Sequence, residues 1–188
     1  AYCIDHKDES VEFAEDPEDL AKEIFMPMET WGKFSGYTTD RDINPHYIRP
    51  AMLQQRLQKI MDEYVGGVGT WYMTSKYMLE EGFFYLEMLK EDSFHMCAED
   101  LHELLRAWEN FHRILAGEAH ARHIHFREET RYPGYYYRGD HLAIDDENWK
   151  CFVNSTYDKN TGEWKIFKKD YHQLVADLDQ TQNKKAAA

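Results

Sequence analysis

The chain has 188 residues with a formal net charge of −13, and 43% of them are hydrophobic and 15% aromatic. This length and apolar content suit one domain with its own core and exclude general disorder, while the acidic surface argues against a nucleic-acid partner. No apolar run approaches the roughly 18 residues of a membrane span, so no span is predicted.

The first 49 residues are predicted to form an irregular arm with one short helix. In "DPEDLAKEIFM", Asp16 can cap the helix, Pro17 suits its first turn and Pro27 is predicted to end it. The sequence from there to Arg49 is rich in Gly, Pro and Asp, which favours extended chain.

Residues 50–130 are predicted to form a three-helix antiparallel bundle. In its first helix the apolar stripe is Leu53, Leu57, Ile60 and Tyr64. The glycines of "GGVG", Gly66, Gly67 and Gly69, end or kink that helix. A second helix, rich in Met and aromatic residues, follows. Its buried candidates are Tyr72, Leu79, Phe83, Leu86 and Leu89.

The third helix is the longest, from about Glu99 to about Glu128, or roughly 45 Å at 1.5 Å per residue. Its predicted apolar stripe is Leu101, Leu104, Leu105, Trp108, Phe111, Leu115 and Ala119. Because short connections join the three amphipathic helices, an up-down-up bundle is favoured, in which each helix buries the stripes of the others.

Residues 131–175 are predicted as an extended strap followed by a β-hairpin, and residues 176–188 as a frayed tail. The hairpin is indicated by alternating apolar and polar residues on both sides of the turn residues Asp158 to Gly162. The predicted fold class is therefore mainly α: a three-helix antiparallel bundle with an irregular N-terminal arm and a C-terminal β-hairpin.

Two Glu-x-x-His pairs suggest a di-iron site, but their spacing argues against it. Glu99 pairs with His102, and Glu109 with His112, on one predicted helix. A di-iron bundle takes such pairs from two facing helices, whereas these lie about 15 Å apart and are rotated by roughly 80°. They cannot share a metal pair within one chain.

A second histidine cluster consists of His120, His123 and His125. The i, i+3 spacing of His120 and His123 allows two imidazoles to share a metal. The helical period places His123 near the apolar stripe, where a hydrogen-bonded core histidine is the more common role. A metal would need a further ligand from elsewhere, so no metal-binding residue is assigned.

No catalytic or cofactor-binding residue is predicted. The "GGVG" glycines follow a helix, so the strand-turn-helix context in which glycines hold a phosphate is missing. Carboxylates are abundant, but no pair stands out as an acid/base couple. We therefore expect the chain alone to be inactive.

One stretch, "RHIHFREETRYPGYYYRGDH" from Arg122 to His141, concentrates arginine, histidine and tyrosine. It contains an Arg-x-Glu-Thr-Arg motif and an Arg-x-Asp motif, and a Trp follows acidic residues downstream. The motif residues are Arg127, Glu129, Thr130, Arg131, Arg138, Asp140, Asp145, Asp146 and Trp149. With the preceding bundle, this pattern resembles the C-terminal part of the α subunits of dissimilatory adenylylsulfate reductases, in the fumarate reductase and succinate dehydrogenase superfamily. The insertion "YPGYYY" and the lack of a Gly-x-His after the second arginine distinguish it from the succinate dehydrogenase version.

This resemblance implies an oxidoreductase in which FAD takes electrons from a β subunit carrying iron-sulfur clusters. The flavin then reduces adenosine 5′-phosphosulfate to AMP and sulfite, or the reverse reaction occurs. The flavin-binding domain and the catalytic residues would lie upstream of Ala1. This chain would supply structural support and an interface to that domain and to the β subunit.

The arginines and tyrosines of the stretch are the predicted interface, because these side chains are enriched where partners dock. The predicted interface residues are Arg122, Arg127, Arg131, Tyr135, Tyr136, Tyr137, Arg138 and Trp149. Two other functions remain as alternatives: an autonomous His-rich metal-binding bundle, and a non-catalytic protein-interaction module.

The cysteines and the chain ends carry two further expectations. Cys3, Cys97 and Cys151 form no CxxC pair, which favours reduced thiols and a cytoplasmic location. The chain begins at Ala1 rather than at a methionine, so we expect a fragment of a longer polypeptide.

Overall fold

A computed structural model describes residues 2–5, 7–8, 16–34, 47–132 and 134–170. The predicted tail lies outside these residues, as does most of the predicted extended arm. A one-turn helix, α1 (Tyr2–Asp5), is followed by α2 (Pro17–Phe34). The backbone N–H of Glu18 donates to Asp16 Oδ1 at 2.8 Å, which confirms the predicted cap.

The prediction that Pro27 ends the first long helix is wrong, because α2 continues through it to Phe34. Pro27 is buried, and its carbonyl accepts a hydrogen bond from the backbone N–H of Ala98 at 2.8 Å. The proline removes one helical hydrogen bond, but contact with the distant segment that carries Ala98 stabilises the continuous helix.

Three helices form the bundle: α3 (Pro50–Tyr64), α4 (Lys76–Ser93) and α5 (Leu101–Phe126). Arg56 in the middle of α3 pairs with Asp92 near the end of α4, whereas Tyr64 at the end of α3 lies against Gly82 in α4, so these two helices are antiparallel. The ring of Phe83 in α4 contacts His125 at the end of α5, so α5 reverses direction again. The predicted up-down-up bundle is confirmed.

The core lies between these three helices. Most predicted core residues of α3 and α4 are buried or partly buried in it, whereas Tyr72 is exposed, contrary to the prediction. The predicted apolar stripe of α5 differs from the buried face by a rotation of about one residue, since Leu101 and Leu105 are exposed. The buried face of α5 is instead Leu104, Ala107, Asn110, Ile114, Gly117, Glu118, Ala121 and Ile124.

Small residues explain this rotation of α5. A Cβ on Gly117 would lie 3.0 Å from Met61 Sδ and 3.8 Å from a methyl of Leu57, so α3 and α5 approach closely there. The larger Trp108 turns toward α2 instead, where its Nε1 donates to the carbonyl of Ile24 at 2.9 Å. The bulkiest side chains of α5 therefore do not mark its most buried face.

The connection between α3 and α4 contains a 3₁₀ turn (Val68–Thr70) and the short strand β1 (Met73–Thr74). After α5, the strand β2 (Tyr137–Arg138) pairs in parallel with β1, and a single helical turn, α6 (Asp146–Trp149), follows. The segment predicted as an extended strap is thus a folded connection. Its backbone returns to the bundle before it reaches the hairpin.

The predicted hairpin is confirmed as β3 (Phe152–Asp158) and β4 (Glu163–Lys169), paired in antiparallel register. Gly162 has a φ of 73°, which glycine adopts without strain, and its N–H donates to the carbonyl of Asp158 at 2.8 Å. None of the described helices is long and apolar enough to cross a membrane.

Candidate functional site

The arginine-rich stretch forms a hydrogen-bonded network at one end of the bundle. Its most buried arginine is Arg138, which is only 1% exposed. Arg138 Nη1 donates to the carbonyls of Ile124, His125 and Arg127 at 2.5, 3.1 and 2.8 Å. These carbonyls lie at the C-terminal end of α5, where a helix leaves acceptors unpaired and favours a positive charge.

The other nitrogens of Arg138 bind Asp140. Nε and Nη2 donate to Oδ1 and Oδ2, each at 2.9 Å, and Asp140 Oδ2 also accepts the backbone N–H of Lys76 at 3.0 Å. Lys76 is the first residue of α4, where a carboxylate is favoured. The hydrogen bonds from Arg138 hold the pKa of the Asp140 carboxyl far below its usual value.

Threonine side chains complete this end of the bundle. Thr130 Oγ1 accepts the N–H of Arg138 at 2.9 Å and donates to the carbonyl of His141 at 2.8 Å. Thr74 Oγ1 donates to the carbonyl of Tyr64, the last residue of α3, at 2.6 Å. Both threonines are buried. Because β1, which carries Thr74, pairs with β2, the folded connection is linked to the ends of all three bundle helices.

Glu129 is the centre of a second cluster and is fully buried. Its carboxylate accepts from Arg131 Nε at 2.6 Å, from Arg131 Nη2 at 2.9 Å and from the N–H of Asp145 at 2.9 Å, and it also pairs with Arg127. Burial alone would raise the pKa of Glu129, but these hydrogen bonds outweigh it, and the pKa lies below its usual value. A doubly paired carboxylate thus holds two arginines in place.

Arg127 joins this cluster to the hairpin. Its Nη1 and Nη2 donate to the carbonyls of Trp149 and Cys151 at 2.9 and 2.8 Å. The indole of Trp149 is buried against the ring of Phe126 at 5.7 Å, and Lys168 of β4 lies 3.5 Å from its ring centre. The cation–π contact and the carbonyl contacts hold the hairpin against the end of α5.

A concavity of about 440 Å³ lies beside the Glu129 cluster. Its walls combine aromatic rings with basic side chains from α5, the folded connection and the hairpin. The lining residues include His120, His123, Arg127, Arg131, Tyr132, Tyr136, Trp149 and Lys150. The guanidinium groups of Arg127 and Arg131 already pair with Glu129, and Arg131 also pairs with Asp146, so two carboxylates balance the charge of these two arginines.

The predicted interface residues fall into three groups. Arg138 and Trp149 are buried within the chain, so they stabilise the fold rather than present a surface. Tyr135 is 81% exposed and can reach a partner. The others, Arg122, Arg127, Arg131, Tyr136 and Tyr137, are partly exposed, and an interface role for them stays a prediction.

The histidines among the described residues do not converge on a metal site. Within the part of the chain that the structure describes, no group of three or more His, Cys, Asp or Glu side chains could hold a metal ion. His123 Nδ1 lies 2.7 Å from the carbonyl of Ala119, and the ring of His125 packs edge-on against Phe83 at 5.4 Å. Both therefore have ordinary structural contacts.

The "GGVG" loop closes around a carboxylate of its own chain. Asp62 Oδ1 accepts the N–H of Gly69 at 2.9 Å, and the carbonyl of Asp62 accepts the N–H of Gly67 at 3.0 Å. The loop follows α3, and two of its N–H groups are already used. These glycines therefore do not form the phosphate cradle that an FAD site needs.

A buried ion cluster was not predicted from the sequence. Glu118 in α5 is 2% exposed and lies 2.5 Å from Lys90 Nζ, and Arg122 Nε donates to it at 2.8 Å. Burial works against its charge, but Lys90 and Arg122 lower the pKa of Glu118 below its usual value. The spacing of Glu118 and Arg122, i and i+4, was the available signal.

Comparisons with solved structures identify the class to which this fold belongs. The Sdh1 complex of Mycobacterium smegmatis matches 88% of this chain and 26% of that chain, with a TM-score of 0.62 and 17% identity. Escherichia coli quinol fumarate reductase matches 87% of this chain and 26% of that chain, with a TM-score of 0.62 and 15% identity. The described fold is of the class seen in these two chains, and at such low identities the similarity shows the fold alone. No protein-family model matches the chain.

Within this class the chain is homologous to the α subunit of adenylylsulfate reductase. It is 53% identical over 174 residues to adenylylsulfate reductase subunit alpha of Megalodesulfovibrio gigas, covering 93% of this chain and 26% of that protein. Adenylylsulfate reductase from Archaeoglobus fulgidus matches 90% of this chain and 26% of that chain, with a TM-score of 0.85 and 45% identity. The resemblance seen in the sequence is confirmed, and the chain spans about a quarter of the length of these relatives.

Proposed function

We propose that this chain is the helical and C-terminal part of an FAD-dependent adenylylsulfate reductase α subunit. The parent enzyme transfers two electrons to adenosine 5′-phosphosulfate, which is cleaved to AMP and sulfite, or it catalyses the reverse reaction. The observation that carries this proposal is the 53% identity that extends over 93% of the chain. A solved relative is named as a covalent complex with sulfite, which is consistent with this chemistry.

In this proposal, FAD lies in the upstream flavin-binding domain of the same subunit and receives electrons from iron-sulfur clusters of a β subunit. The glycine-rich loop does not fit a flavin phosphate, because the N–H groups of Gly67 and Gly69 already bind Asp62. The contribution of this chain is therefore mechanical: the Arg138 and Glu129 clusters fix the ends of the bundle and the hairpin as a rigid support. Residues on the outer side of the folded connection, such as Tyr135, offer the interface.

The test compares the full-length parent subunit, assembled with its β subunit, with the 188-residue chain. With a reduced viologen as electron donor, the assembly is expected to form AMP and sulfite in equal amounts and to show flavin absorbance. The 188-residue chain is expected to show neither. An assembly that binds flavin but leaves adenosine 5′-phosphosulfate unchanged would overturn the proposed reaction, and flavin bound by the short chain would overturn the supporting role.

A further inference from the structure

The connection between α3 and α4 presents a tryptophan to solvent. Trp71 is 85% exposed, and Val68 in the same connection is 71% exposed. Residues 65–74, "VGGVGTWYMT", contain no charged side chain, although 30% of the whole chain is charged. A charge-free surface segment with an exposed aromatic residue is typical of the centre of an interface.

The backbone at this tryptophan is strained. Trp71 and Tyr72 have φ values of 57° and 61°, in the left-handed region that bulky residues rarely adopt. Two consecutive aromatic residues in this conformation disfavour the folded state, and such strain is concentrated where binding or function requires a fixed geometry.

Hydrogen bonds hold the strained backbone in place. The N–H of Trp71 donates to the carbonyl of Val68 at 3.1 Å, and that of Tyr72 to the carbonyl of Gly67 at 2.8 Å. The carbonyl of Tyr72 accepts the N–H of Tyr137 at 2.7 Å. The connection is therefore preformed with Trp71 directed outward, which lowers the entropy cost of docking.

We propose that Trp71 is the anchor by which this segment docks onto the upstream part of its own parent subunit. The inference rests on the proposed function and names one contact within it. The upstream part is favoured as the occupant because the relatives are much longer than this chain, which covers 26% of them. A covalently linked neighbour also has a high effective concentration, which neither a second copy nor a separate subunit shares. Tryptophan is enriched among the residues that dominate binding energy at interfaces.

The first experiment identifies the occupant directly. A photo-crosslinking amino acid replaces Trp71 in the full-length subunit assembled with its β subunit, and the crosslinked peptides are identified by mass spectrometry. The expected crosslinks join position 71 to residues upstream of Ala1 in the same polypeptide. Crosslinks to a second copy or to the β subunit, or no crosslink at all, would overturn the proposal.

The second experiment relieves the backbone strain at position 71 and compares the effect in the short chain and in the full-length subunit. Asparagine tolerates the left-handed conformation, so Trp71→Asn should raise the melting temperature of the 188-residue chain by about 2–4 °C. In the full-length subunit the same change should lower the melting temperature, because the anchor is lost. An effect of the same sign in both proteins, or no effect in the full-length subunit, would contradict the docking role.

Leu101→Asn is the matched control. Leu101 is 68% exposed, lies in helical conformation at the opposite end of α5, and its substitution relieves no strain. It should not show the reversal of sign. The outcomes also separate this inference from the proposed function: intrachain crosslinks in a subunit without reductase activity would support the anchor alone, and an active flavoprotein without crosslinks at position 71 would reject it alone.

Discussion

Arg138 and Asp140 form a bidentate ion pair, with Nε–Oδ1 and Nη2–Oδ2 distances of 2.9 Å. Arg138 also binds the last carbonyls of α5, and Asp140 also binds the first N–H of α4. Each charge thus meets the helix end that favours it, and the pair links two helix ends of opposite polarity. Two residues two positions apart therefore fix the folded connection to the bundle.

Arg138→Lys should strongly destabilise the chain. Lysine has no planar fork, so it cannot bind both oxygens of Asp140 while it also donates to the carbonyls of α5. We expect the free energy of unfolding to fall by about 3 kcal/mol or more, because buried acceptors lose their partner. Urea unfolding followed by circular dichroism measures this change.

Arg106→Lys is the control for that substitution. Arg106 is 48% exposed and pairs with Glu109 on the surface of α5, so a change within about 0.5 kcal/mol is expected. Equal losses of stability in the two variants would show that the buried position of Arg138 has no special role.

The stability of the chain should decrease in acid. The pKa values of Asp140 and Glu129 are both lowered in the folded state, so each carboxylate stabilises the fold above its unfolded pKa, near 4. This stability is lost as the pH falls through the lower folded-state values. The contribution of these two carboxylates to the free energy of unfolding should therefore be nearly constant from about pH 7 to about pH 5 and decline below about pH 4.

Asp140→Asn tests the source of that decline. The variant should be less stable at neutral pH and should lose less stability between about pH 5 and about pH 2 than the unaltered chain, as measured by urea titrations at each pH. Parallel curves for the two proteins would assign the acid sensitivity to other carboxylates.

Gly67 and Gly32 should respond in opposite directions to alanine. A Cβ on Gly67 would lie 2.3 Å from Asp62 Oδ1 and 2.4 Å from Asp62 Cα, so the backbone would have to shift. We expect Gly67→Ala to cost about 1–3 kcal/mol. Gly32 in α2 has no atom within 4 Å of that position, so Gly32→Ala should stabilise the helix by about 0.5–1 kcal/mol. Thermal unfolding of both variants gives the comparison, and a loss at position 32 as large as at position 67 would refute it.

Periodicity and turn residues were sufficient to predict the bundle and the hairpin, because these features depend on local sequence. The capping role of Asp16 was also predictable for this reason. The continuation of α2 through Pro27 was not predictable. The cost of a proline inside a helix is evident from the sequence, but the hydrogen bond from Ala98 comes from a distant segment. The face of α5 was mispredicted because Gly117 and small neighbours allow the closest helix contact, and small residues give a weak hydrophobic signal.

The network itself was only half predictable. The sequence singled out the arginines, but their partners differ: Arg131 binds Glu129 two residues away, whereas Arg138 binds three backbone carbonyls at a helix end. A pattern of side chains in the sequence does not predict which backbone carbonyls will accept hydrogen bonds. For this reason an arginine expected at a surface is one of the most buried residues of the chain.

Arg131→Ala in the full-length subunit should weaken assembly or flavin retention more than it alters the reaction. Arg131 donates to both oxygens of Glu129 and to Asp146, so its loss leaves a buried carboxylate with fewer partners. The adjacent loop, which carries the exposed Tyr135, should then lose its fixed position.

Three measurements separate the effects of Arg131→Ala: flavin per subunit, association with the β subunit, and turnover per bound flavin. The first or second should fall while the third is retained. Arg113→Ala, which removes a surface pair with Glu109 on α5, should leave all three unchanged. Normal flavin content and normal association with a lost turnover per flavin would instead place Arg131 in the reaction itself.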